Sequence, residues 1–344
     1  MNKRYCFFCV GTGGHVFPAK NIILQLLKSG VSEEDITIIT DKRGVKYFED
    51  LNIERIQKDF FSSSRGIFGY VPNVGQFIKT AWQLFNRLKS KNINTILTTG
   101  AYIAPYAALM SLLLRSDLFI QEQNLYAGLG NKIASYFPST VFESFPDTRN
   151  IKKSNAVFTG PILNIDLADK NPKKKNQQFT IGIQGGSQGS EQVNQFVYKF
   201  INELNNSNVN FLHITGPNKS NNEAFDKVFY QQVEFIQDMD KYYKSIDFQI
   251  SRAGGGILEA AYLSIPQLLV PFKHGTTANH QTLNAEYLVE TGNAITVEDY
   301  DQFSKIINNI CEHQNSYLKE NYKPQTIKVG NDDIFKIITS GSHE

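Results

Sequence analysis

Residues 5–15 read Tyr5-Cys6-Phe7-Phe8-Cys9-Val10-Gly11-Thr12-Gly13-Gly14-His15. An apolar run goes straight into a glycine turn that ends in a histidine. Such a run, stopped by glycine, is a strand buried on both faces, and the pattern from Pro18 to Ser29 is helical. The same order returns as Phe179-Thr180-Ile181-Gly182-Ile183-Gln184, then Gly185-Gly186-Ser187-Gln188-Gly189, then a helical pattern over 191–204. Strand, glycine turn and helix is how an α/β sheet opens a site for a charged ligand, with backbone amides and a helix N-terminus aimed at it. Its repetition predicts two similar domains with chemistry in the cleft between them.

The rest of the chain keeps this alternation. Strands are predicted at 36–40, 95–98 and 118–121, then at 211–215, 233–236, 248–251 and 267–270. Helices are predicted at 77–89 and 105–114, then from 240, at 258–263 and at 279–289, and the polar final stretch gives one more at 334–338. Apolar strands separated by helices make parallel sheets covered on both faces. The charged, proline-containing stretch 169–176 reads as a linker. The fold class expected is therefore α/β, two Rossmann-like doubly wound parallel-sheet domains. Their bounds are 1–162 and 163–324, with a C-terminal helix in 325–344 packing back on the first.

Composition narrows the class. The chain has 344 residues, 41% of them apolar and 20% charged, with a net charge of +2. That is ordinary for a soluble globular protein, and the near balance gives no reason to expect a nucleic-acid partner. Cys6 and Cys9 form a C-x-x-C, but inside a strand rather than at a helix start, so they read as core thiols. The apolar run after Lys3-Arg4 is too short for a signal peptide, and no stretch of about 20 apolar residues spans a bilayer. A cytoplasmic protein, at most resting on a membrane, is expected.

The loops carry the chemistry. His15 sits at the carboxyl end of a strand, where its pKa suits it to act as a base. The loop fails the dinucleotide fingerprint at Val16 and lacks the P-loop lysine, so neither a nicotinamide nor an ATP site is favoured. Gly185–Gly189 offers Ser187 and backbone amides to a diphosphate or sugar nucleotide. Ser251-Arg252-Ala253-Gly254-Gly255-Gly256 offers amides and a guanidinium to an anion, and Glu259 just beyond can accept both hydroxyls of a ribose. His280, Gln281 and Asn284 suit sugar hydroxyls, since amide and imidazole groups both donate and accept. A metal on His274 and His280 lacks a third ligand. Gly100–Pro105 and Gln121–Asn124 are polar strand ends, and Ser62–Gly66 is a basic loop able to hold a phosphate. Phe77, Ile78, Trp82 and Phe85, edged by Lys79 and Arg87, are either a core stripe or, with Leu109–Leu114 and Arg115, a patch for an anionic membrane. Lys173–Lys175 is either a solvated run or a lipid contact.

Seven segments in order resemble the MurG family of bacterial N-acetylglucosaminyltransferases: Gly11–His15, Gly100–Pro105, Glu122–Asn124, Gly185–Gly189, Phe235–Met239, Ser251–Gly255 and His280–Ala285. The resemblance runs to about Gly292 and implies a GT-B fold that needs no cofactor. The implied donor is UDP-GlcNAc and the implied acceptor is lipid I, undecaprenyl-diphosphate-linked MurNAc-pentapeptide. The implied reaction is an inverting β-1,4 transfer to the MurNAc C4 hydroxyl that gives lipid II, at the cytoplasmic face of the membrane, with cell-wall synthesis and division proteins as implied partners. His15 would be the base. Thr12, Gly13, Gly14 and Tyr102 would hold the acceptor, and Asn124 would stand near both substrates. Ser187, Gln188, Gly189, Ile236, Met239, Arg252, Gly254, Gly255, Glu259, His280 and Gln281 would hold the donor. Three departures stand out: no arginine follows Pro161, the run from Arg252 to Glu259 is one residue short, and Ala278-Asn279 replaces an acid. Two other classes fit the loops: another UDP-sugar enzyme, such as a UDP-GlcNAc 2-epimerase or glycolipid transferase, and a non-catalytic cell-wall scaffold.

Overall fold

The structure is a computed structural model that describes residues 3–60, 74–163, 178–220, 227–272, 278–324 and 326–340. It divides into two compact units, Met1–Leu163 with Lys328–Glu344, and Asn164–Ile327. The linker stretch 169–176, the Ser62–Gly66 loop, Lys173–Lys175 and His274 lie outside the described residues.

The first unit is built on a seven-stranded parallel sheet. Its strands are β1 (Tyr5–Phe8), β2 (Ile36–Thr40), β3 (Glu54–Gln57), β4 (Thr95–Thr98), β5 (Asp117–Glu122), β6 (Thr140–Glu143) and β7 (Ala156–Phe158), in the spatial order 3-2-1-4-5-6-7. Strand β1 shows why the apolar run is continuous. Cys6 and Phe8 enter one buried cluster with helices α2 (Val74–Leu88) and α3 (Ala104–Leu114), while Tyr5, Phe7 and Cys9 enter another with α1 (Gly13–Lys28). Alternate side chains point to opposite faces, and both faces are covered. Cys6 and Cys9 therefore lie on opposite faces, fully buried, and burial raises both thiol pKa values.

The second unit holds a six-stranded parallel sheet in the order 10-9-8-11-12-13. These strands are β8 (Thr180–Gln184), β9 (Asn210–Ile214), β10 (Tyr230–Val233), β11 (Phe248–Ser251), β12 (Gln267–Leu269) and β13 (Ala294–Thr296). Helices α5 (Glu191–Glu203), α6 (Met239–Ser245), α7 (Gly256–Tyr262), α8 (Ala278–Glu290) and α9 (Tyr300–Asn321) connect and cover them, and α4 (Leu129–Ala134) belongs to the first unit.

Several expectations need correction. Helix α1 starts at Gly13 rather than Pro18, because Thr12 accepts from the amides of His15 and Val16. The strand expected at 233–236 lies at Tyr230–Val233. The stretch read as polar holds α9, whose Phe303, Ile307 and Ile310 are buried at helical spacing. Strands β3, β6, β7 and β13 were not anticipated; β3, β7 and β13 are edge strands.

The last helix, α10 (Asn331–Ser340), belongs to the first unit, where Ile334 and Ile338 join the α1 side of the core. Asn331 accepts from the Leu163 amide at 2.9 Å and donates to its carbonyl at 3.1 Å. Gly160 stands at φ +85°, and a Cβ there would come 2.1 Å from the Lys328 carbonyl oxygen. Gly160→Ala should cost about 2–3 kcal/mol through strain and overlap, and should speed hydrogen exchange across α10 before the rest of the unit. Unchanged exchange in α10 would show that this approach does not hold the helix down.

Candidate active site

Both sheets change crossover direction at one point, between β1 and β4 and between β8 and β11. Ligands of doubly wound sheets bind at the carboxyl ends of the strands beside such points. The glycine loops after β1, β4, β8 and β11 leave the sheets there, and the segments after β5 and β12 one strand further on, whereas Phe235–Met239 follows the edge strand β10.

In the first unit, Gly11 takes φ +87°, and its amide donates to Asp41 Oδ1 at 3.0 Å. Asp41 follows β2 and is the centre of a network that sequence reading missed. It also accepts from the Gly44 amide at 2.9 Å, the Tyr102 hydroxyl at 2.6 Å and Arg43 Nε at 3.1 Å. Arg43 Nη2 donates in turn to the Tyr102 oxygen at 3.0 Å. Burial alone raises the Asp41 pKa, but these four donors outweigh it and hold the carboxyl below its ordinary range. The same contact with Asp41, added to burial, pushes Tyr102 up to about 12. Gly100 has φ +97° and packs on Asn131, and its neighbour Ala101 is itself held at φ +63°. Position beside β2 at a strand's carboxyl end was the signal that could have found Asp41.

His15 lies in the first turn of α1, half-buried. Its Nδ1 is 2.7 Å from the Thr99 carbonyl oxygen. A carbonyl only accepts, so Nδ1 carries the hydrogen and Nε2 keeps the lone pair. The Gln123 amide nitrogen lies 3.3 Å from the same Nδ1, and its oxygen is the end that suits an N–H there. Burial lowers the His15 pKa from its ordinary 6.5, the Thr99 bond opposes that, and Arg43 adds to the lowering. The ring is therefore neutral at pH 7. Thr12 makes no side-chain capping bond to the first-turn amides of α1.

Asn124 is placed by a buried carboxylate. Glu122 accepts from the Asn124 amide at 2.9 Å, Asn124 Nδ2 at 3.1 Å, the Gly128 amide at 3.3 Å and Asn131 Nδ2 at 2.8 Å. Burial still dominates, and the Glu122 pKa is raised.

In the second unit, Gly185 and Gly189 are there for close approach. A Cβ on Gly185 would meet the Ser190 amide at 2.1 Å, and one on Gly189 would meet the Thr215 oxygen at 1.9 Å. Ser190, not Ser187, caps α5, accepting from the Val193 amide at 3.4 Å. Ser187 is half-buried and Gln188 exposed. Arg252 Nε donates to Gln281 Oε1 at 3.2 Å, and its guanidinium lies 4.6 Å from the Phe272 ring centre. The structure thus brings Arg252 and Gln281 together. His280 is half-buried on the same helix, and burial lowers its pKa. Asn284, read as a sugar ligand, is fully buried instead and donates to the Ala253 carbonyl at 3.2 Å. The Gly254 amide turns back on the Arg252 carbonyl at 2.9 Å, and Gly255 caps α7. Ile236 and Met239 pack against the Tyr242–Tyr243 cluster, and Tyr243 donates to Glu259 at 2.9 Å.

The residues read as a membrane patch split. Phe77 and Phe85 turn inward, with the Phe77 ring tilted against Tyr106 at 4.3 Å between centres. Ile78 and Trp82 stay 60% and 67% exposed with Val74, Leu112 and Leu113, while Lys79 and Arg87 are exposed beside them. Among the described residues no helix is long and apolar enough to cross a membrane, and no three of His, Cys, Asp and Glu gather as a metal site.

Two parallel sheets of this order, each with glycine loops at its switch point, are the GT-B architecture. Residues 5–143 match the glycosyltransferase family 28 N-terminal domain, and residues 180–336 match the family's C-terminal domain. A relative from Prochlorococcus marinus subsp. pastoris is 30% identical over 313 residues, covering 86% of this chain and 82% of its own. It is named UDP-N-acetylglucosamine–N-acetylmuramyl-(pentapeptide) pyrophosphoryl-undecaprenol N-acetylglucosamine transferase. The crystal structure of Acinetobacter baumannii MurG superposes with a TM-score of 0.72 at 23% identity, covering 99% of this chain and all of that one. A putative UDP-N-acetylglucosamine 2-epimerase from Listeria monocytogenes shares the fold at a TM-score of 0.68 and 12% identity, covering 99% and 96%. The chain belongs to the MurG family of glycosyltransferases.

Asp41→Asn should lower stability by about 1–3 kcal/mol, the worth of hydrogen bonds to a charged group. The folded carboxyl titrates below the unfolded value of 3.8, so its contribution is present above that pH and fades as pH falls through the folded pKa. Urea midpoints of wild type and variant should differ at neutral pH and converge below pH 3.8. A gap that persists in acid would mean the charge is not what Asp41 contributes.

Proposed function

We propose that this protein transfers GlcNAc from UDP-GlcNAc to the C4 hydroxyl of MurNAc in lipid I, with inversion, forming the β-1,4 link of lipid II for peptidoglycan. The observation that carries the site assignment is the His15 ring. It is kept neutral by burial and turned by the Thr99 carbonyl so that Nε2 is the basic atom. His15 Nε2 takes the proton of the acceptor hydroxyl as its oxygen attacks the anomeric carbon, and UDP leaves from the opposite face. Amides at Gly13 and Gly14, with Arg43 and Tyr102 nearby, receive the acceptor's diphosphate. Arg252 faces the charge that develops on the leaving diphosphate. Gln281 and His280 take GlcNAc hydroxyls, Glu259 the ribose, Ile236 and Met239 the uracil side, and Ser187, Gln188 and Gly189 the donor phosphates. Asn124 stands beside the transferred sugar.

A lipid-linked acceptor calls for contact with the bilayer. The stripe Val74, Ile78 and Trp82, with Leu112, Leu113 and the cations Lys79 and Arg87, suits the interface of an anionic membrane. The protein would then work peripherally on the cytoplasmic leaflet, alongside other cell-wall enzymes.

Purified protein should move labelled GlcNAc from UDP-GlcNAc to a short-chain lipid I analogue. His15→Ala should lower kcat by about 100- to 10,000-fold with the KM for donor little changed. The acidic limb of kcat/KM should have its midpoint below 6.5, because protonation removes the base. Consumption of UDP-GlcNAc without an acceptor would point to an epimerase instead. Separately, Ile78→Ala with Trp82→Ala should weaken co-sedimentation with phosphatidylglycerol vesicles several-fold and spare transfer to a soluble acceptor. Undiminished vesicle binding would take the membrane role from this stripe.

A further inference from the structure

Three loops of the first unit are knitted together by charge. Strands β2, β1 and β4 lie side by side in register, so the loops that follow them emerge together. Arg43 stands in the tight turn after β2, closed by the Gly44 amide on the Asp41 carbonyl at 3.2 Å. Its Nε is committed to Asp41 at 3.1 Å and its Nη2 to the Tyr102 oxygen at 3.0 Å. A Cβ on Gly11 would lie 3.6 Å from Nη2, so the guanidinium also reaches over the Gly11 loop. The Tyr102 bond raises the Arg43 pKa, burial opposes, and Asp41 adds to the rise, so the charge is permanent. Nη1 makes no hydrogen bond among the described residues, and the side chain is 60% exposed, so one edge of the fork faces outward.

The same loops hold His15. It hangs from the Gly11 loop, and the carbonyl that fixes its ring belongs to Thr99, shortly before Tyr102. Thr99 and Gln123 both face Nδ1, so a further proton enters at Nε2. Neither of them is charged. The carboxyl of Glu122 turns instead to Asn124, Gly128 and Asn131. Lys20, further along α1, is tied to Asp50. Asp41 is buried under its four donors, and Tyr102, pushed up to about 12, stays neutral. Among the described residues Arg43 is therefore the charge that acts on the ring, and with burial it opposes protonation.

A diphosphate would change that balance. On the acceptor assignment given above it lies against Arg43 and the Gly13 and Gly14 amides, and its negative charge offsets the guanidinium. We propose that Arg43, locked by Asp41 and Tyr102, gates the base: it keeps His15 weakly basic in the empty site, and the acceptor's diphosphate, by covering that charge, makes His15 a stronger base. This rests on the acceptor assignment of the proposed function. Arg43 is here a positioning residue, since it acts through His15 and forms no bond to a reacting atom. The effect protects the donor: water entering a site without acceptor meets a weaker base, so GlcNAc is kept for the sugar hydroxyl.

The test follows the His15 ring signals by NMR as pH is varied, with His15→Gln assigning them among the six histidines. No turnover is needed. Inorganic pyrophosphate, added with UDP in excess to fill the donor loops, should raise the His15 midpoint of the wild type. Arg43→Gln should raise the midpoint before any pyrophosphate is added, because the opposing charge is gone. It should also weaken pyrophosphate by about tenfold or more, as loss of a charged hydrogen-bond partner does. Arg43→Lys keeps the charge and should stay near the wild-type midpoint, which separates charge from a general disturbance of the loops. With a lipid I analogue, the acid limb of kcat should lie at higher pH than that of kcat/KM for the acceptor, since kcat reports the bound complex. The inference falls if Arg43→Gln leaves the midpoint in place, if Arg43→Lys raises it as much, or if pyrophosphate binds without moving it. Pyrophosphate that perturbs no signal of the Gly11–His15 loop would overturn the acceptor assignment and the inference together, a result told apart by the absence of binding.

Discussion

A parallel strand buried on both faces must hand its chain to a helix within a few residues. Where neighbouring strands send their helices to opposite faces, no helix covers the strand ends. That constraint acts at β1 and β4 in one unit and at β8 and β11 in the other. The chain meets it with glycine at Gly11, Gly100, Gly186 and Gly189, all at positive φ. A turn made only of glycine is floppy, and three of these are gripped: Gly11 by the Asp41 carboxylate, Gly100 by packing on Asn131, and Gly189 by its contact with the Thr215 carbonyl. The polar residues of the site are largely those grips and the groups they leave facing out.

Two buried carboxylates of the first unit, Asp41 and Glu122, show how partner chemistry decides protonation. Asp41 and Glu122 each accept four hydrogen bonds, from Gly11, Gly44, Tyr102 and Arg43 in one case and from Asn124 twice, Gly128 and Asn131 in the other. One Asp41 donor is a guanidinium, and Asp41 is shifted down; the Glu122 donors are all neutral, and Glu122 is shifted up. A formal charge within reach offsets desolvation where neutral dipoles at greater depth do not.

Much of this was legible in the sequence, and the gaps have physical causes. Interior strands announce themselves because both faces are apolar, so β1, β2, β4 and β11 fall where the runs place them. Edge strands such as β3, with Arg55 and Gln57 exposed, and the three-residue β7 and β13 carry too little of that signal. Helix α9 hid because most of its surface is polar and only one stripe is buried. The glycine loops pointed to His15 and Arg252 as candidates, and Arg252 does meet Gln281 of the segment after β12. Asp41 escaped because its partners lie at Gly11 and Tyr102, 30 and 61 residues away, and no local pattern reports a pairing made by strand order.

The His15 tautomer follows from that same strand order. A base at a loop tip is useful only if one ring nitrogen is committed and the other is left basic. The commitment here comes from the Thr99 carbonyl, which belongs to the residue just after β4. Strand β4 lies beside β1 in register, with Phe8 opposite Thr98, so the chain leaving β4 turns past the start of α1 and offers its carbonyl at His15. Had β1 been flanked by β2 and some later strand, the imidazole would face a different backbone and its hydrogen would not be assigned. The crossover between β1 and β4 thus also chooses which His15 nitrogen keeps its lone pair.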